Sequence, residues 1–379
     1  MKSLNQENLI INSRTQLVIK TKILNNVSKY LKSFDKSNIL IIADSYLQKN
    51  KNKLNYINSS FKEFKKKHII FSDFYEPSFE NLEIIKSKIN TKPSLIISIG
   101  GGSTLDIGKA LSICLNYKDD PRKLQGQDKF NFPGIDQVSI PTIFGSGAEL
   151  APSAVFINER KGIKGGINSE FVRPKIALLD PYLAQTKNIS KVAECAFDAL
   201  VHSLESFTCT ISNQFTQNMS IMGVENLFKG LNLLKDNDLK AYEYLAIGST
   251  YSIMSLMHSE QNFSGALSYQ LAVNYNYGHA LCGANFLPYS IKLAIKKKKN
   301  SYNQIINHLH NNKLIRENKP EALISALLKY FMLFKIKKIV LSKDQVDKIV
   351  SSTINMPMLN FTPFKFTKKN IEDILIKND

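Results

Sequence analysis

Short apolar runs rich in β-branched residues punctuate the first half of the chain: NILIIAD (38–44), HIIFSDF (68–74), SLIISIG (94–100), QVSIPTI (137–143) and KIALLD (175–180). Between them lie stretches of helical length, such as SYLQKNKNKLNYI (45–57) and SFENLEIIKSKI (78–89). Strands that are apolar at nearly every position, separated by helices, predict a parallel sheet covered on both faces. Beyond Asp180-Pro181 the texture changes. KVAECAFDALVHSLESF (191–207) and NMSIMGVENLFKGLNLL (218–234) carry apolar residues at 3.6 spacing, and strand signals fade. The pattern predicts an α/β domain over 1–181 and an all-helical domain over 182–379, with a ligand cleft between them. No internal repeat is visible.

Composition narrows the class. A chain of 379 residues with 43% hydrophobic content and 10% aromatics can build a core and is neither disordered nor fibrous. No apolar run approaches the roughly 20 residues that span a bilayer, and MKSLNQENLI lacks the apolar block of a secretory signal. Cys114, Cys195, Cys209 and Cys282 are scattered without C-x-x-C spacing, as expected of reduced thiols in a cytoplasmic protein. The net charge of +18 raises the question of nucleic acid. Arginine occurs only at 14, 122, 160, 173 and 316, so the basicity is nearly all lysine, without the arginine and aromatic interleaving of a nucleic-acid groove. Neither a nucleic acid nor a membrane is the expected partner. An anionic small-molecule substrate suits the charge better.

The stretch SIGGGSTLDIGKAL (98–111) runs a strand through three glycines into a helix. It is not a P-loop, because five residues separate Gly102 from Gly108 and Ala110 follows Lys109. Nor is it G-x-G-x-x-G, since Leu105 stands at the third glycine position. The shared physics survives. Gly101 and Gly102 let the backbone approach a pyrophosphate, and the helix starting near Ser103 points free N–H groups at it. A second polar turn, IPTIFGSGAE (140–149), offers Thr142 and Ser146 at the end of another strand, where open α/β sheets bind ligands. Asp44, closing ILIIAD, can accept from a ribose hydroxyl or cap a helix.

GGGSTLDIGKA resembles the G-G-G-S-x-x-D-x-x-K signature of the iron-containing, group III metal-dependent alcohol dehydrogenases, relatives of glycerol dehydrogenase and dehydroquinate synthase. IPTIFGSGAE is similar to that family's P-T-x-x-G-T-G-S-E stretch, and LLDP (178–181) to its hinge, preceded by a lysine at Lys164. AECAFDALVHSLESF resembles its G-x-D-A-x-x-H-x-x-E segment, HALCGANFLPY (279–289) its H-G-x-x-x-x-x-L-P segment, and NFTPFKFTKKNIEDIL its C-terminal ending. The resemblance implies a Rossmann-like parallel-sheet domain binding NAD or NADP, a helical domain, and one divalent metal, Fe2+ or Zn2+, between them. It assigns Asp44, Gly101, Gly102, Ser103, Asp106, Thr142, Ser146, Lys164 and Leu179 to the cofactor, and implies a homodimer. Asp44 would repel a 2′-phosphate, which favours NAD.

Asp198 and His202 are i and i+4 on a helix, so both side chains leave one face and can reach one cation. His279 follows a glycine from which a loop can aim it inward. The resemblance implies a fourth ligand fourteen residues before His279, but Gly265 stands there, and Tyr269 occupies the place of a further histidine. Three arrangements remain open: Asp198, His202 and His279 with a water; substitution by His258 or Glu260; or loss of the metal. The first leads to hydride transfer between a nicotinamide and a small aldehyde or primary alcohol. Asp198 and His202 would then act at the reacting centre, with Tyr269 supplying or relaying the proton from a phenol whose pKa a nearby cation lowers. ALSYQL (266–271) resembles a branch that includes phosphonoacetaldehyde reductases, with Lys164 or Arg173 as anion partners. The rivals are a dehydroquinate synthase-like cyclase using NAD without net redox, and a nucleotide-binding relative without catalysis.

Overall fold

The computed structural model describes residues 14–298 and 300–376; the segment MKSLNQENLI and Lys299 of the basic run 295–300 lie outside the described residues. Strands β1 (Gln16–Ile19), β2 (Ile39–Asp44), β3 (Lys67–Ser72), β4 (Leu95–Gly100), β5 (Gly126–Gln127), β6 (Asp136–Pro141), β7 (Ser153–Asn158), β8 (Ile163–Asn168) and β9 (Ile176–Leu179) form two sheets. The larger has the order β1-β9-β6-β4-β2-β3 and is parallel throughout. β4, LIISIG, is buried along its whole length, as a strand covered on both faces must be. Along β2 the pleat sends Ile39, Ile41 and Ala43 into one apolar layer and Leu40 and Ile42 into the other.

The chain runs outward from β2 to β3, then back past β2 to β4, β6 and β9. The direction of winding therefore reverses between β2 and β4, and open α/β sheets bind ligands beyond the carboxyl ends of the strands at such a point. Asp44 ends β2 and Gly100 ends β4. The sequence pattern did not announce the small second sheet, β5-β8-β7, in which β7 and β8 pair antiparallel. In β8, KGG interrupts the apolar alternation that marks a strand.

Beyond β9 the described residues form helices and irregular segments only. The helix Ile189–Thr208 begins at Asn188, whose side chain accepts from the Lys191 N–H, and buries Phe197, Leu200, Val201 and Leu204 in the largest apolar cluster. The helix Phe263–Tyr275 ends on Asn276 in the left-handed conformation (φ 55°), and after Tyr277 and Gly278 the chain re-enters a helix at His279–Lys297. That tight reversal lays His279 back against Ser268 and Tyr269. No helix among the described residues is long and apolar enough to cross a membrane.

Candidate active site

A cavity of about 1040 Å³ lies between the carboxyl edge of the large sheet and the helical half. On the sheet side it is lined by Asp44, the glycine turn and the polar turn after β6. Gly101 caps the helix Gly102–Cys114 with no side-chain acceptor, leaving its first-turn N–H groups open to a ligand. A Cβ on Gly102 would stand 2.8 Å from Ser146 Oγ, so the two turns press together there and a side chain would have to push the Ser146 hydroxyl aside. Thr142 is pinned beside them by its N–H donating to the Gly100 carbonyl at 2.9 Å. Asp44 accepts from the Tyr46 N–H at 2.8 Å, and burial raises its carboxyl pKa.

Several cofactor candidates have prior commitments. Ser103 Oγ donates to the Tyr75 carbonyl at 2.6 Å. Asp106 is buried and lies 2.7 Å from Lys109 Nζ, which is fully buried and also donates to the carbonyls of Ala148 and Ser153. This Asp106–Lys109 pair ties the glycine helix to β7 and the polar turn. Lys164 lines the cavity with its ammonium 2.5 Å from Glu76 Oε2, and both side chains are nearly buried. Leu179 stands apart from the rest: it is fully buried in β9 within the apolar core and does not line the cavity. Arg173 is also absent from the cavity, its guanidinium spent on Glu170 and the Leu150 carbonyl.

On the helical side Asp198, His202 and His279 converge, with one ligand atom from each lying within 4.8 Å of the others. Asp198 Oδ1 is 3.7 Å from His202 Nε2 and 3.5 Å from His279 Nε2, too far for hydrogen bonds. Asp198 Oδ1 and His202 Nδ1 are buried without a hydrogen-bond partner. A buried carboxylate oxygen facing two imidazole nitrogens at these distances is an environment that a divalent cation satisfies, and the donor set suits zinc or iron. Burial lowers the pKa of both histidines, His279 to about 4, which keeps them neutral as ligands must be.

Tyr269 closes the same wall. Its ring is 5.6 Å from that of His279 and lies under Lys164 Nζ at 5.5 Å. Burial, together with the charges of Asp106, Glu76, Asp198 and Glu260, pushes its phenol pKa up. These are the contributions of the protein alone; the lowering expected from the sequence belongs to a cation held by Asp198, His202 and His279. Of the two substitutes for the missing ligand, Glu260 lines the cavity, while His258 does not; its ring packs on Phe215 and its Nδ1 meets the Met254 carbonyl. At Gly265 a Cβ would meet Gln261 Oε1 at 2.6 Å, so the Gln261 carboxamide fills the room of a side chain there.

Residues outside any motif complete the site. Gly278 offers the helix His279–Lys297 no side-chain cap, and Glu76 Oε1, from the loop after β3, accepts the His279 N–H at 3.2 Å. Beside it Tyr75 OH accepts from Lys191 Nζ at 3.0 Å and lies where a Cβ on Gly278 would be. Ser268 Oγ is 2.6 Å from His279 Nδ1. An acidic residue before Pro77 was the only signal for Glu76, and sequence offers none for Ser268.

An open parallel sheet with a glycine turn at its switch point faces an Asp-His-His cluster across one cleft, the place where an open α/β sheet takes its ligand. Comparison with known proteins is specific. Residues 14–181 match the iron-containing alcohol dehydrogenase family and residues 192–378 its C-terminal family. The chain belongs to the iron-containing alcohol dehydrogenases, oxidoreductases acting on CH–OH groups. It is 25% identical over 319 residues to an alcohol dehydrogenase of Thermococcus barophilus, covering 79% of this chain and 81% of the relative. It is 26% identical over 310 residues to a 4-hydroxybutyrate dehydrogenase of Clostridium kluyveri, covering 78% and 83%. Against a longer aldehyde-alcohol dehydrogenase of Entamoeba histolytica, 26% identical, the match covers 60% of this chain and only 28% of the relative. In fold it is similar to sulfoacetaldehyde reductase from Bifidobacterium kashiwanohense in complex with NAD+, at a TM-score of 0.85 and 15% identity, covering 98% of each chain.

Proposed function

We propose that this chain is an NAD(H)-linked, metal-dependent reductase of small aldehydes, running in reverse as a dehydrogenase of the corresponding primary alcohols. The carrying observation is that Asp198, His202 and His279 converge on one point facing the same cavity as the glycine turn. When bound, the dinucleotide supplies the hydride and the cation acts as a Lewis acid toward the carbonyl oxygen.

The chain's own residues do the rest. The open N–H groups after Gly101 hold the pyrophosphate, and Asp44 accepts from the ribose and disfavours a 2′-phosphate, which supports NAD over NADP. Asp198, His202 and His279 hold the metal, zinc or iron, with an open position for substrate. Tyr269, kept protonated by its surroundings, donates a proton from Oη as the alcohol forms.

Substrate charge follows from pairing. Lys164 is held by Glu76, Lys109 by Asp106 and Lys191 by Glu194, while Lys53 donates to the carbonyls of Leu183 and Gln185, so each of these four cavity lysines is already engaged within the protein. This favours a neutral aldehyde. It also weighs against a sugar-phosphate cyclase, which needs several uncommitted cations. The acidic aldehydes suggested by the names of the Clostridium and Bifidobacterium relatives form the second arm of the assay.

NADH oxidation is followed against a panel of neutral and anionic aldehydes, with metal analysis of the same sample. Asp198→Ala combined with His202→Ala is expected to lose both bound metal and turnover, by at least about 10³-fold. A double variant that stays fully active refutes the assignment.

A further inference from the structure

We propose that Ser268 is a positioning residue that fixes the tautomer of His279, so that the Nε2 lone pair faces Asp198. The proposal rests on the metal reading above for its purpose, but its geometry stands on the protein alone. Ser268 is 1% exposed, on the helix Phe263–Tyr275. Its hydroxyl has one proton and two nearby acceptors: the Gly265 carbonyl at 2.8 Å and His279 Nδ1 at 2.6 Å.

The far side of the imidazole decides between them. If the Ser268 proton went to Nδ1, a neutral His279 would carry its own proton on Nε2, aimed at a carboxylate. Asp198 Oδ1 would then be expected to draw close as an acceptor. Instead it sits 3.5 Å from Nε2 and has no hydrogen-bond partner at all. Two lone pairs facing each other across that gap explain the spacing.

So Ser268 donates to Gly265 and accepts from His279 Nδ1–H, and the tautomer that results is the ligating one. The backbone from which the ring projects is held as well, since Glu76 takes the His279 N–H. The short hydroxyl also needs the reversal at Asn276, which folds residue 279 back over residue 268.

The first measurement is histidine 15N NMR on the metal-free protein, with His279 assigned by its loss in His279→Gln. The wild type is expected to show Nδ1–H. A dominant Nε2–H tautomer overturns the proposal whether or not the protein binds metal. The second is Zn2+ affinity by chelator competition. Ser268→Ala is expected to release the tautomer and weaken Zn2+ binding 10–100-fold. Ser268→Thr, which keeps the hydroxyl, is expected to restore both. A Ser268→Ala protein with wild-type tautomer and affinity overturns the proposal. A wild type that shows Nδ1–H but binds no Zn2+ or Fe2+ sinks the metal reading instead and leaves the tautomer assignment intact.

Discussion

Replacing Glu76 by Gln tests the link between the two halves and the proposed substrate charge together. Glu76 reaches in two directions: Oε2 meets Lys164 Nζ at 2.5 Å, and Oε1 accepts the His279 N–H. Glutamine keeps the shape and one acceptor, so the helix cap survives. What is lost is the countercharge of a lysine whose side chain is 5% exposed. Breaking a buried pair by removing one partner costs about 3–5 kcal/mol, because the remaining charge is left without compensation. For a chain of 379 residues that translates to a Tm lower by roughly 4–6 °C. The stranded ammonium lies over Tyr269 and lines the cavity, so an anionic substrate can now take the place of Glu76. The kcat/KM ratio for a short aldehyde acid over a neutral aldehyde of the same length is expected to rise about tenfold, the effect of one partly screened charge contact. Calorimetry reads the first effect and steady-state kinetics the second. Unchanged stability with an unchanged substrate ratio would refute the idea that Glu76 neutralises Lys164 at the site.

Two other perturbations address the sheet side. Asp44→Asn keeps an acceptor for the Tyr46 N–H but removes the charge, and is expected to raise the NADPH over NADH preference about tenfold in kcat/KM; an unmoved ratio would place the adenosine ribose elsewhere. Glu149 is 2% exposed, has an Oε1 without a partner, and has its pKa raised by burial to about 7. A carboxyl raised in this way favours the folded state while protonated. Its contribution is complete below its ordinary value of 4.5 and is lost as pH climbs through about 7. Glu149→Gln is therefore expected to gain about 3 kcal/mol relative to wild type between pH 4.5 and pH 8 in denaturant titrations. A constant difference across that range would count against it.

What the sequence made legible follows from how local each signal is. The strands β2, β4, β6 and β9 were readable because burial on both faces forces unbroken apolar runs, and the half-buried edge strand β3 because its β-branched run HIIF is itself a strand signal. The Asp198–His202 pair was readable because helical spacing alone places both on one face. The β7–β8 hairpin was not, since glycines in β8 break its period. The surroundings of Tyr269 were illegible for a different reason. Burial raises its phenol pKa first, and four carboxylates drawn from separate segments of the chain, around residues 76, 106, 198 and 260, add to it. Glu76 is the limiting case. It caps a helix that begins more than two hundred residues later, because Gly278 has no side chain to do so. A glycine is required there, since Tyr75 OH occupies the space a Cβ would take, and Tyr75 is in turn held by Lys191 from the helix that carries Asp198 and His202. The same Tyr75 carbonyl takes the hydroxyl of Ser103 in the glycine turn. One loop thus touches the glycine turn, the lysine in the cavity and the backbone of His279. Contacts of this kind leave no periodicity to read, because each joins residues whose neighbours in sequence serve other ends.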